Sequence, residues 1–154
     1  MNNTWTNHSH VPARYAPIHD MVTKRLTETD PTGYTELLQD LRARYKPQGA
    51  ESSVIECMAD VLWLQRGCFP LENEILNRGM QASSDPKTAL TKVWLHENRR
   101  GGLLSKLATY EDWLSREYDR YRRILELSAK NRKCKEARMA DSLMQRKSCT
   151  SVIQ

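Results

Sequence analysis

From Leu103 onward the chain carries apolar and aromatic residues on one helical period. Leu103, Leu104, Leu107, Tyr110, Leu114, Tyr118, Tyr121 and Leu125 stand one, three or four residues apart over 23 residues. Positions spaced this way share one face of an α-helix, whereas a half-buried strand would alternate every second residue. The stripe therefore requires a long helix with a partner packed along its apolar side. The same reading continues through Ala137, Ala140, Leu143 and Met144. At 1.5 Å per residue, Leu103 to Met144 reaches roughly 60 Å, more than a domain of about 100 residues needs. The distal part is predicted to protrude.

Three other segments supply partners. Asp30-Pro31 is a helix start, with Asp as N-cap and Pro at the first position, where its missing N–H costs nothing. Tyr34, Leu37, Leu38, Leu41 and Tyr45 then line one face, and Pro47 and Gly49 end the helix. A second helix begins near Ala50-Glu51. Val54, Ile55, Met58, Val61 and Leu62 form its face, and Cys57, Trp63 and Leu64 widen the stripe. A helix apolar around much of its circumference belongs at the centre of a bundle. Gly67 and Pro70 predict a kink or break near Cys68-Phe69, with a continuation from Leu71 to about Met80 that carries Leu71, Ile75 and Leu76. After the polar run QASSDP, Asp85-Pro86 repeats the cap signature. The helix that follows carries Leu90, Val93 and Trp94, and Gly101-Gly102 breaks or bends it. No strand pattern or internal repeat is present. Residues 1–29 lack a sustained period and are punctuated by Pro12 and Pro17. They read as a flexible tail with at most a helical turn around His19–Leu26.

Part of this pattern resembles a known group. Asp30-Pro31, Tyr34, Leu37-Leu38, Leu41, Tyr45, Pro47, Gly49, Glu51, Ile55, Ala59 and Leu62-Trp63 form one piece, and Tyr110-Glu111, Leu114, Arg116, Tyr118 and Arg122 form the other. Together they resemble a group of short, uncharacterised bacterial proteins, common in acidobacteria-like genomes, over roughly residues 30–66 and 103–127. The chain departs from that group at its N-terminus, where Asn7-His8-Ser9-His10 replaces a basic Asn-Ala-x-Lys-His-Gly stretch. It departs again after Leu62-Trp63, where Gly67 and Pro70 interrupt a run that is Arg-rich in the group. The resemblance implies a helical fold and a bacterial cytoplasm, and it implies no function.

Few residues suggest chemistry. His8 and His10 could clip a metal, yet a His-x-His pair in a tail has no surrounding groups to orient it. His19 and His96 stand alone. Cys57, Cys68, Cys134 and Cys149 include no CxxC pair, and none has a local signature of a lowered pKa. Glu72 and Glu74 point in different directions on a helix, and Glu97 and Asp112 have no obvious acidic partner. GxGxxG, P-loop, HExxH and GxSxG motifs are all missing. The expectation is a protein without catalytic residues, metal or cofactor. With no apolar run near the roughly 20 residues that span a bilayer, and a polar, uncharged start, it is expected to be cytoplasmic, with reduced cysteines and no membrane partner.

Charge is the one feature with functional pull. The net charge of +5 is unevenly spread: residues 1–98 hold ten Lys/Arg against twelve Asp/Glu, and residues 99–154 hold fourteen against seven. Arg120, Arg122, Arg123, Lys130, Arg132, Lys133, Lys135 and Arg138 face only Glu126 and Glu136 within residues 120–138. A helix so charged can neutralise phosphates with little sequence selectivity. The opposing reading is a solvated helix end, whose cations suit the negative pole of the helix dipole. The segment lacks the Trp/Phe/Leu-rich opposite face of a membrane-surface helix.

The sequence thus predicts an all-α bundle of three to four main helices with a long, basic, protruding C-terminal helix. Residues 1–29 form a flexible tail, 30–128 the helical domain and 129–154 a basic extension. Two functions fit: a non-enzymatic accessory protein whose eight basic residues contact DNA or RNA, or a helical adaptor or self-assembling protein. The second docks a protein partner, or another copy, through Ala137, Ala140, Leu143 and Met144.

Overall fold

The structure, a computed structural model, describes residues 11–30, 32–82, 85–99 and 101–150, with backbone only at 86, 141 and 143–150. Among these residues all the regular structure is helical, with no strand. A 3-10 turn at Ala13–Tyr15 leads into α1 (Ala16–Thr29), followed by α2 (Gly33–Tyr45), α3 (Glu51–Gln81), α4 (Pro86–Glu97) and α5 (Leu103–Thr150).

The centre is α3, which contacts each of the other four helices. Its Ile55, Met58, Ala59, Trp63, Leu64 and Cys68 are buried, as its broad apolar circumference requires. Across from them, α5 contributes Leu104, Leu107, Tyr110, Leu114 and Leu125, and α2 contributes Leu37 and Leu41. The edge of the Trp63 ring meets Tyr34, whose hydroxyl donates to Asp60 at 2.6 Å.

Three expectations need correction. The first concerns residues 1–29 as a tail. Residues 13–29 are helical, and Tyr15, Ile18, Val22 and Leu26 are core residues. Their spacing of three, four and four is one helical face. Pro17 does not break it, because it lies in the first turn of α1, where a missing N–H is harmless. Among the described residues there are consequently five α-helices rather than three or four main ones. His8 and His10 lie outside the described residues.

The second concerns the segment around Gly67 and Pro70. Of the kink or break expected there, the break does not occur, since α3 runs on through Pro70. Gly67 is a packing notch: a Cβ would come within 2.8 Å of Leu26 and Val22, so its absence lets α1 approach closely. Gly79 is a second notch, where a Cβ would meet Val93 of α4 at 2.4 Å.

The third concerns the face of α4. Ala89 and Val93 turn inward, while Leu90, Trp94 and Leu95 are exposed. The helix packs where Gly79 admits Val93, and that choice leaves Leu90 and Trp94 on the outer side. The caps hold locally. Asp85 accepts from Lys87 N–H at 3.1 Å and from the Thr88 hydroxyl at 2.5 Å, and Asp30 accepts from Gly33 N–H at 2.9 Å. Pro31 lies outside the described residues.

Candidate nucleic-acid interface

The interface candidate is built on α5. Gly101, at φ +98°, makes the turn out of α4, and the Glu97 carboxylate accepts from Leu103 N–H at 3.0 Å, capping the first turn of α5. The proximal half of α5 is anchored by its apolar stripe. Tyr110 is fully buried, shares a 2.9 Å hydrogen bond with His19 Nδ1, and stacks on Trp113 with ring centroids 5.7 Å apart.

The anchoring ends in a polar pin that the sequence reading missed. Glu51, in the first turn of α3, is the only buried charged residue among those described. Its carboxylate accepts from Ser128 and from Arg132 of α5, and from Gln48 N–H at 2.9 Å. Those donors hold the carboxyl below the usual carboxylate range, with the Ser128 hydroxyl foremost, then Gln48 N–H, then Arg132. The position at a helix N-terminus suits the negative charge as well. In sequence, Glu51 is an ordinary first-turn acid. Only the fold brings it to residues 77 and 81 positions away.

Beyond the pin the character of α5 changes. Every described side chain from Lys133 to Ala140 is exposed. The eight basic candidates accordingly separate into groups. Arg132 is engaged by Glu51. Arg120 pairs with Glu117 at 3.4 Å, and Arg122 lies 3.3 Å from Asp119 and 3.9 Å from Glu126. These are surface pairs within one helix, worth a few tenths of a kcal/mol and easily exchanged. Arg123, Lys130, Lys133, Lys135 and Arg138 are exposed and make no ion pair with any described residue. Arg116, Arg120, Arg123, Leu127, Lys130, Cys134 and Arg138 follow one another at spacings of three or four, all exposed, and form a row along α5 away from the bundle.

Two depressions lie on or beside α5. A shallow depression lined by Arg116, Asp119, Arg120, Arg123, Ile124 and Leu127 comes wholly from α5, with no second element to close it. A cleft of about 370 Å³ between α1, α3, the end of α4 and the start of α5 contains Glu74 and Glu97. Glu74 is held by Arg25 at 3.0 Å and by Arg78, and Glu97 is spent on the α5 cap. Burial pushes the Glu111 carboxyl up, with the nearby Glu72 charge adding to the effect. This acidic neighbourhood between α3 and α5 was invisible in the sequence, where Glu72 and Glu111 stand 39 positions apart. Burial also pushes the Cys68 thiol up to about 12, the opposite of what a nucleophile needs. His96 is exposed beside Glu97 at 3.2 Å. No group of three or more His, Cys, Asp or Glu could hold a metal among the described residues, and no helix is long and apolar enough to cross a membrane. The side chains of Leu143, Met144 and Cys149 lie outside the described residues.

No family model, curated protein or solved structure matches the chain.

Proposed function

We propose that this chain is a non-enzymatic nucleic-acid-binding accessory protein, which presents the protruding distal half of α5 as a basic helix to the phosphate backbone. One observation carries the reading. Arg123, Lys130, Lys133, Lys135 and Arg138 stand exposed without carboxylate partners among the described residues, on a helix whose proximal half is fixed in the core. Unpaired cations release counterions from phosphate on binding, whereas cations already in ion pairs gain less. Arg132, bound to Glu51, positions the helix. Arg120 and Arg122 exchange their weak intrahelical pairs for phosphate.

The second reading is an adaptor or self-assembling protein that docks the extension onto a partner helix. It draws on Met139, which is 65% exposed, and on the exposed Ala137 and Ala140 of the same extension.

Fluorescence anisotropy with labelled nucleic acid across a salt series separates the two. Binding through phosphate weakens steeply with salt and is lost when Arg123, Lys133, Lys135 and Arg138 are changed to Gln. Docking through Met139 is insensitive to salt and is lost on Met139→Glu. Wild-type binding that appears only at very low salt would sink the nucleic-acid reading.

A further inference from the structure

We infer that the nucleic acid for which α5 is shaped is double-stranded DNA, with the helix beyond Arg132 lying in the major groove. The inference rests on the nucleic-acid reading above and narrows it to one class of ligand.

Three features select duplex DNA. The first is shape. From Lys133 to Thr150 the helix continues for about 27 Å, at 1.5 Å per residue. An α-helix about 10–12 Å across fits the major groove of B-form DNA, about 12 Å wide, whereas the major groove of A-form RNA is too deep and narrow for it.

The second is the distribution of charge. At about 100° per residue, Lys133 and Lys135 lie roughly 160° apart around the helix axis, and Lys130 and Arg138 fall on the wider, roughly 200° arc between them. A helix binding one flat phosphate strand needs cations on one side only. A helix in a groove has phosphates on both flanks and needs them on both. Cations that wrap the helix are therefore matched to a groove.

The third is the lack of a stacking side chain. The chain has no Phe, Trp or Tyr after Tyr121, and Tyr121 is packed against the bundle core. Single-stranded DNA and RNA are held largely by bases stacked on aromatic rings, which this surface cannot provide. Duplex DNA keeps its bases stacked on each other and requires none.

The test uses the full chain with a labelled duplex DNA, the duplex RNA of the same sequence and the single DNA strand, in parallel salt titrations. Duplex DNA is expected to bind about tenfold or more tighter than either of the others, because only its major groove admits the helix. The log–log salt slope is expected near −3.6, from about four phosphates neutralised at 0.9 each. The Lys130→Gln, Lys133→Gln, Lys135→Gln, Arg138→Gln variant is expected to flatten that slope, with its thermal melting checked against wild type. On the wild-type complex, dimethyl sulfate should find guanine N7 in the major groove protected. Equal binding to duplex RNA or to the single strand, or unprotected N7, overturns the inference and leaves the broader reading standing. No binding to any of the three overturns both.

Discussion

The two halves of α5 share one helix and obey opposite physics. Between Leu104 and Leu125 the helix buries Leu104, Leu107, Tyr110, Leu114 and Leu125 against α3 and α1. After Arg132, every described side chain up to Ala140 is exposed. The first half is held by packing and would be helical for that reason alone. The second has only its own hydrogen bonds and its continuity with the first. Glu51 marks the border, with Ser128 and Arg132 as its partners. Elongating an existing helix is far easier than nucleating one, so an anchored proximal half lends helicity to an exposed distal half. That arrangement presents charge at a distance from the bundle without a second core.

The comparison breaks most visibly in the proximal half. Leu114→Ala empties a fully buried site on α5 and is expected to cost about 2–5 kcal/mol, a large share of the stability of a domain this size. Chemical denaturation measures it, and a cost below about 1 kcal/mol would mean that the stripe is not the anchor. Gly67→Ala tests whether α1 belongs to the same core. Its Cβ would press on Leu26 and Val22, with an expected loss of about 1–3 kcal/mol. An unchanged melting temperature would contradict the close approach of α1 to α3.

Acid separates the halves by sign. The Glu51 carboxyl lies below its ordinary value of 4.5, so the stability it contributes is present above that pH and is lost as the pH falls through the lowered value. Glu111, in the proximal half, lies above 4.5. Its ionised form therefore penalises the fold at neutral pH, and the penalty fades as the pH falls through its raised value and below 4.5. Hydrogen exchange should show the amides around Ser128–Arg132 opening on acidification, and Glu51→Gln should remove that pH dependence. Glu111→Gln should raise the melting temperature at neutral pH and lose the advantage in acid. The smallest stability effect is expected from ending the chain after Lys133. Removing exposed residues should change the unfolding free energy by no more than about 0.5 kcal/mol, while nucleic-acid binding disappears. A large drop in melting temperature would show that the distal half supports the core.

Helical character, the order of α2 to α5 and most of their ends were legible in the residues themselves. Asp85-Pro86 starts α4 where the cap signature puts it, and Leu104 through Leu125 face inward as their period requires. These are local properties: a cap, a spacing or a charge run acts within a few residues, so one stretch of sequence contains all the information. The uneven distribution of charge belongs to the same class. What the sequence could not decide depends on which surfaces meet. Leu90 and Trp94 are as apolar as Val93, yet only Val93 faces a glycine notch on α3. Tyr15, Ile18, Val22 and Leu26 have helical spacing, but so short a stripe counts as core only once α3 offers Gly67 beside it. Arg132 carries the same charge as Arg123, and only the position of Glu51 in space withdraws it from the exposed set. Periodicity says which residues share a face. Contact between faces far apart in the chain decides which face is covered, and a single missing Cβ or one buried carboxylate is enough to choose.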